Sequence, residues 1–288
     1  MPAERLTELP QRRWRESRWT TTWPLTARGW HTGVRRGPVV VLIHAGFVDS
    51  RQWDGLIPLL ADDHTVFAPD RRGHGASEGY RHDHRLDTDI DDLVRLLELT
   101  SDPAGPAVLV AHSAAGHIAL GAAVRSPLAG IVILYEPPAF GRPPVADDVW
   151  RQLDQATAAG DRRQLVAVLL NDVVGRSTGQ RLPPPALDVL LASPFGRLLL
   201  DNALSIPTEL RSYEAHQWND DTLKQLTVPI RLLVGERSPP FNRMFADRLR
   251  GLAPNATIEL LPGQDHGGPF SAPAVLAAKV RSIEASHE

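Results

Sequence analysis

The chain contains no cysteine. Disulfides, thiolate-ligated metal centres and a cysteine nucleophile are therefore excluded, and the absence fits a reducing compartment. An excess of one charge is also missing. Against 31 Lys and Arg stand 34 Asp and Glu, a formal net charge of −3, which does not mark a nucleic-acid partner. No apolar run approaches the roughly 20 residues of a membrane span. Residues 1–23 are rich in Arg and Trp and lack the apolar stretch of a secretory signal. Internal repeats and long low-complexity tracts are absent too. The expectation is a soluble, cytoplasmic protein with neither nucleic acid nor membrane as partner.

What is present suits one α/β sheet domain with an insertion: 288 residues, 42% hydrophobic and 23% charged. The stretch from Val108 to Leu120 organises the rest. An apolar run stops at Ser113, small residues flank it, and a helix-like run follows at once. A nucleophile elbow needs this strand, sharp turn and helix start, with small neighbours where strand and helix pass closely. Ala111 and Ala115 stand where glycines are usual.

Buried-strand runs end in loops at Pro38–Ile43, His64–Ala68, Pro106–Ala111, Gly130–Tyr135, Pro229–Val234 and Thr257–Leu261. Helical spacing is expected at Arg51–Leu60, Asp87–Leu99, after Ser113 to about Arg125, at Phe241–Leu252 and at Ala274–Ala285. Strands alternating with helices imply a mostly parallel sheet flanked by helices. Trp14, Trp19, Trp23 and Trp30 alternate with Arg and Thr, as in two antiparallel strands whose tryptophans cover one face. The rhythm breaks over residues 139–227, where only helices are expected (Val149–Ala159, Arg163–Leu170, Pro185–Leu191, Phe195–Asn202). The organisation expected is a core of residues 1–138 and 228–288 with a helical cap over 139–227.

Ligands bind at the carboxyl ends of strands in an open parallel sheet. A serine hydroxyl there needs a base, a carboxylate to orient the base, and backbone N–H donors for the developing oxyanion. His266 is the candidate base. The N–H of Ala114 and that of Gly46 or Phe47 are the candidate donors. The candidate acid is Glu136, which follows the strand after the serine's helix, with Glu236 and Asp265 as alternatives.

Four loops carry a family resemblance: His44-Ala45-Gly46-Phe47, Asp70-Arg71-Arg72-Gly73-His74-Gly75-Ala76-Ser77, Ala111-His112-Ser113-Ala114-Ala115-Gly116 and Leu261-Pro262-Gly263-Gln264-Asp265-His266. Taken in order, each after an expected strand, they resemble the α/β-hydrolase superfamily from about Pro38 onward. The resemblance implies the α/β-hydrolase fold and a Ser–acid–His triad, with the acid usually an Asp where this chain has Ser238. The run Tyr135-Glu136-Pro137-Pro138 resembles members whose acid sits one strand earlier. Zearalenone-type lactonases are the nearest in layout, with a Ser–Glu–His triad, a cap stretch similar to Leu169–Gly175, and the oxyanion role at Gly46 rather than Phe47.

The function expected is that of a serine hydrolase cleaving a small apolar ester or lactone through Ser113, His266 and Glu136, with no cofactor and no metal. Haloalkane dehalogenases and epoxide hydrolases, which attack with Asp, do not match. Alternatives are a small-molecule binding protein, or a cyclase or lyase on the same scaffold. Trp150, Phe195, Tyr213 and Trp218 are expected to form the cap's core, with Trp150, Tyr213 and Trp218 as candidates to face substrate. His44 and His74 are read as loop ties, His112 as packing on the side away from Ser113, and His117 as a buried hydrogen-bonded histidine. The run His82-Asp83-His84 with Asp87, Asp89, Asp91 and Asp92 matches no metal spacing. A homodimer is left open.

Overall fold

A computed structural model describes residues 15–20, 25–31, 37–80, 84–100, 105–138, 145–178, 180–216 and 218–286. The strands are β1 (Arg15–Thr20), β2 (Thr26–His31), β3 (Val40–Ile43), β4 (Val66–Pro69), β5 (Ala107–His112), β6 (Ala129–Tyr135), β7 (Ile230–Gly235) and β8 (Ala256–Leu261). They form one sheet in the order β1-β2-β4-β3-β5-β6-β7-β8. Pairing is antiparallel from β1 to β2 and from β2 to β4, and parallel from β4 onward. The expected N-terminal hairpin is there, but Trp14 and Trp23 and the side chains of Trp19 and Trp30 lie outside the described residues.

Helices α1 (Ile57–Leu60), α2 (Leu86–Thr100) and α3 (Ala115–Arg125) belong to the first half of the sheet. Between β6 and β7 come α4 (Asp147–Ala159), α5 (Arg162–Thr178), α6 (Pro184–Ala192), α7 (Pro194–Asp201), α8 (Ile206–Ala215) and α9 (Asp220–Lys224). The closing helices are α10 (Pro240–Leu252), α11 (Gly268–Ser271) and α12 (Pro273–Ala285). The single helix expected over residues 51–60 is instead a 3-10 turn, Ser50–Trp53, followed by α1. Gly55 weakens helix propagation there, and Pro58, which has no N–H to give, sits in the first turn of a new helix. Helices α8 and α9 lie where no helix was expected.

The period-2 alternation of the strands sorts their side chains into two layers. Val41, Ile43, Leu109, Ala111, Val132, Leu134, Leu232 and Val234 face α2, α3 and α10. Val40, Leu42, Val108, Val110, Ile133, Tyr135 and Leu233 face α1 and α12. Both faces are covered, so the parallel strands read as unbroken apolar runs. Helices α4 to α8 bury Leu153, Leu165, Val166, Leu199, Ile206 and Leu210 in a third core, which reaches Ala45 and Val48 in the loop after β3.

One ion pair ties α12 to the sheet's first crossover: His64 Nε2 lies 2.8 Å from Glu284 Oε2, and both residues are buried. Burial alone would lower the His64 pKa, but the hydrogen bond and charge of Glu284 outweigh it and raise it. The group binds its proton more tightly when folded. Its contribution is therefore complete below the ordinary histidine value and fades as pH rises through the raised one. Glu284→Gln is expected to lower Tm by a few degrees at pH 6, about 2–4 °C per kcal/mol lost. The deficit shrinks by pH 8.5. A deficit independent of pH in a calorimetric series would show that the pair carries no proton linkage.

Candidate active site

The loops after β3, β5, β6, β7 and β8 all open at one end of the sheet, because parallel strands put their carboxyl ends together. Ser113 follows β5 directly and has φ 51°. Its N–H donates to Tyr135 O (2.9 Å) and its carbonyl accepts from Gly116 N (2.8 Å), so the turn is tied to β6 on one side and opens α3 on the other. The small residue the turn requires is Gly116. A Cβ there would lie 2.7 Å from Pro137 Cβ. Ala111 and Ala115 are fully buried.

Glu136 follows β6 and is 1% exposed, with φ 46°. Its Oε2 lies 2.7 Å from His266 Nδ1 and accepts from Asn242 Nδ2 (2.5 Å). Its Oε1 accepts from the Gly235 N–H (2.7 Å) and from the Ser238 hydroxyl. Four donors thus meet the two oxygens, the full acceptor capacity of an ionised carboxylate. Ser238, where the resemblance puts an Asp, has become a donor to a carboxylate that reaches the same place from the neighbouring strand. Glu236 accepts from the Gly263 N–H (2.8 Å), and Asp265 from the Gly267 N–H (2.9 Å). Asp265 also meets Arg237 Nη2 (3.4 Å), so the two carboxylates tie the loops after β7 and β8 to each other.

The His266 loop is held from below. His112 Nε2 lies 3.0 Å from the His266 carbonyl, and the two rings stand 4.8 Å apart. Burial, and next the adjacent His266, hold the His112 pKa well below its ordinary value, so the ring is neutral and donates from Nε2. The Tyr135 hydroxyl donates to Asp265 O (2.7 Å). His112 packs as expected, edge-on against Tyr135 and Phe270. It points away from Ser113, and the β8 loop passes on that side, so the residue beside the serine also positions the histidine's backbone.

Phe47, Ser113 and Glu136 are the non-glycine residues with positive φ among those described. Such strain costs on the order of 1–3 kcal/mol per residue and gathers where a site over-determines the backbone. A Cβ on Gly46 would lie 3.4 Å from Ala114 Cβ, so the loops after β3 and β5 touch. Neither Gly46 nor Ala114 has its N–H bonded to an acceptor among the described residues. The Phe47 N–H is already given to Glu209 Oε2 (3.1 Å).

Glu209 is the residue that sequence reasoning missed. It lies on α8, is 1% exposed, and meets Arg71 Nη2 (2.6 Å), His74 Nε2 (3.1 Å) and the Tyr213 hydroxyl (3.1 Å). Burial would raise its pKa, but Arg71 and His74 more than offset this and hold it below the ordinary carboxylate range. Its only signal in the sequence was a carboxylate near the start of a helix that begins with Ile206-Pro207. His44 and His74 are loop ties as read: His44 Nε2 accepts from Arg71 N (3.0 Å).

Of the candidate substrate-facing residues, Tyr213 and Trp218 both pack against the His117 ring, at 5.5 and 6.2 Å between centroids. Trp218 Nε1 donates to His117 (2.7 Å), a neutral ring that burial, and then His216, push down to about 3. Tyr213 donates to Glu209. The Trp150 ring lies under Arg211, 4.1 Å from its guanidinium carbon. Phe270 lies 6.4 Å from the His112 ring and Phe195 5.1 Å from Phe270, both against the core formed by α4 to α8. Among the described residues no group of acidic and histidine side chains could hold a metal ion. His82 and Asp83 lie outside the described residues. Asp89 pairs with His84, Asp92 with Arg72, and Asp87 and Asp91 with Arg125. No described helix is long and apolar enough to cross a membrane.

A sheet of this order with a strained serine after its central strand and a carboxylate-bound histidine after its last defines the α/β-hydrolase fold. Residues 40–279 match the sequence profile of the alpha/beta hydrolase family, and the chain belongs to that family. It is 27% identical over 225 residues to a pimeloyl-[acyl-carrier protein] methyl ester esterase of Klebsiella pneumoniae subsp. pneumoniae, covering 77% of this chain and 79% of that one. An AB hydrolase superfamily protein of Gibberella zeae is 36% identical over 92 residues, and there the match spans about a third of each chain, 32%. Among solved structures, an alpha/beta hydrolase from Sphaerobacter thermophilus superposes with a TM-score of 0.73 at 24% identity, covering 89% of this chain and 94% of that one.

Proposed function

We propose that the protein is a serine hydrolase that cleaves carboxylic esters or lactones of small apolar acids. The observation that carries this reading is the bond between His266 Nδ1 and buried Glu136, beside the strained turn of Ser113. Glu136 holds the ring with Nδ1 toward itself, which turns Nε2 to the opposite side of the imidazole. Ser113 Oγ attacks the carbonyl carbon and its proton passes to His266 Nε2. The Gly46 and Ala114 N–H groups stabilise the oxyanion. Collapse expels the alcohol, which takes that proton, and leaves an acyl-enzyme. Water, deprotonated by His266, then releases the acid and restores Ser113. Phe195 and Phe270 favour an apolar acyl group, and the esterase among the relatives supports the choice of bond.

A fluorophosphonate probe is expected to label Ser113 stoichiometrically and to abolish turnover of short p-nitrophenyl esters and aliphatic lactones. A folded chain that takes no adduct would favour the binding-protein reading. Labelling with no turnover on either substrate set would favour a cyclase or lyase.

A further inference from the structure

We infer that Glu209 is a positioning residue for the oxyanion loop, a carboxylate supplied by α8 that fixes the peptide carrying the Gly46 N–H. The inference rests on the reading of Ser113 as nucleophile and Gly46 as oxyanion donor. Three backbone groups around that donor are spoken for. The Ala45 N–H goes to Gln52 Oε1 (2.9 Å). The Ala45 carbonyl accepts from Arg71 Nη2 (3.0 Å) and lies 2.8 Å from His44 Nδ1. The Phe47 N–H goes to Glu209 Oε2 (3.1 Å).

A trans peptide is planar and its C=O and N–H point in opposite directions. With the Ala45 carbonyl drawn toward Arg71, the Gly46 N–H of the same peptide must aim the other way. The Phe47 N–H, drawn toward Glu209, fixes the next peptide as well. Phe47 reaches this bond only at φ 65°, a conformation costly for a residue with a Cβ. The carboxylate therefore holds a strained turn that would otherwise relax and rotate the donor. Gly46 itself has no room to spare: a Cβ there would lie 3.3 Å from Glu209 Oε1.

The same carboxylate bonds Arg71, so both ends of the donor peptide are anchored through one ion pair, 2.6 Å long and buried. Arg71 comes from the loop after β4 and Glu209 from the helices between β6 and β7. The loop holds its shape only while α8 keeps Glu209 against Arg71 and Phe47. The oxyanion site is thus assembled from two parts of the chain 162 positions apart.

Glu209→Gln and Glu209→Asp test this against a matched pair of substrates, an ester and its thionoester. Aspartate keeps the charge beside Arg71 but falls one methylene short of Phe47, so it serves if the glutamine variant does not fold. A thiocarbonyl sulfur is a poor hydrogen-bond acceptor and depends little on the oxyanion donors. The expected result is a fall in kcat for the ester of about 10²-fold, with KM within about threefold. The thionoester rate changes far less, so the ester-to-thionoester ratio collapses. Equal losses on both substrates, or an unchanged ester kcat in a folded variant, would overturn the inference. Failure of the underlying reading is separate, since it appears as no ester turnover and no fluorophosphonate adduct in the unmutated protein.

Discussion

Replacing Ser113 by alanine is expected to lower kcat for ester hydrolysis by about 10⁶-fold, with the folded state intact. The size follows from how the parts depend on one another. Without Oγ no acyl-enzyme forms, and His266 and Glu136 have no proton to move. What remains is the oxyanion site and substrate binding, worth roughly 10³–10⁴ over water. His266→Ala is expected to cost nearly as much, and the double variant no more than either alone. Alanine is as buried-compatible as serine in the turn between β5 and α3, so Tm should hold. Steady-state kinetics on a p-nitrophenyl ester, with burst titration for active sites, reads the effect. Residual activity above about 1% of wild type, free of contaminating enzyme, would remove Ser113 from the nucleophile's role.

The second large effect is at Glu136. Glu136→Gln is expected to lower kcat by about 10³–10⁴-fold. The amide presents an N–H₂ to a position where His266 needs an acceptor, and it cannot stabilise the imidazolium formed in the reaction. It also faces the Gly235 N–H, the Ser238 hydroxyl and the Asn242 amide, a set of donors built for a carboxylate. Glu236→Gln and Asp265→Asn are expected to stay within about threefold of wild type, because their bonds are to Gly263, Gly267 and Arg237. Ser238→Asp, which restores the residue usual at that position, should reduce activity. It would set a second carboxylate against Glu136, and two carboxylates that close must share a proton at neutral pH. Equal losses from Glu136→Gln and Glu236→Gln would defeat the assignment, as would full activity in Glu136→Gln. A gain from Ser238→Asp would show that the acid works better from β7.

Much of this architecture was legible in the residues. Strands buried on both faces print themselves as continuous apolar runs, and Pro38–Ile43, Pro106–Ala111, Gly130–Tyr135 and Pro229–Val234 lie within a residue or two of β3, β5, β6 and β7. Turn chemistry marked the loops after them. The helices were legible where apolar residues recur at helical spacing, as in α2. They were not where that pattern was short: α8 was overlooked, and the run at residues 51–60 was read through Gly55 and Pro58 as one helix.

The roles of His112 and Glu209 were beyond reach for a different reason. A strand pattern says on which side His112 lies, and it lies opposite Ser113. That the His266 carbonyl passes on that side depends on how the loop after β8 folds back, 154 residues along the chain. Local order, periodicity and turn residues act over a few positions, so they decided which segments are strands, which loops follow them, and hence that a serine, a glutamate and a histidine share one end of the sheet. The partners of those residues are set by packing between segments far apart in the chain. Only the assembled fold put Ser238 and Asn242 on the acid, made His112 a support, and brought a carboxylate of α8 to the Phe47 N–H. Hydrogen bonds at 3 Å require a precision of placement that no spacing along the chain encodes.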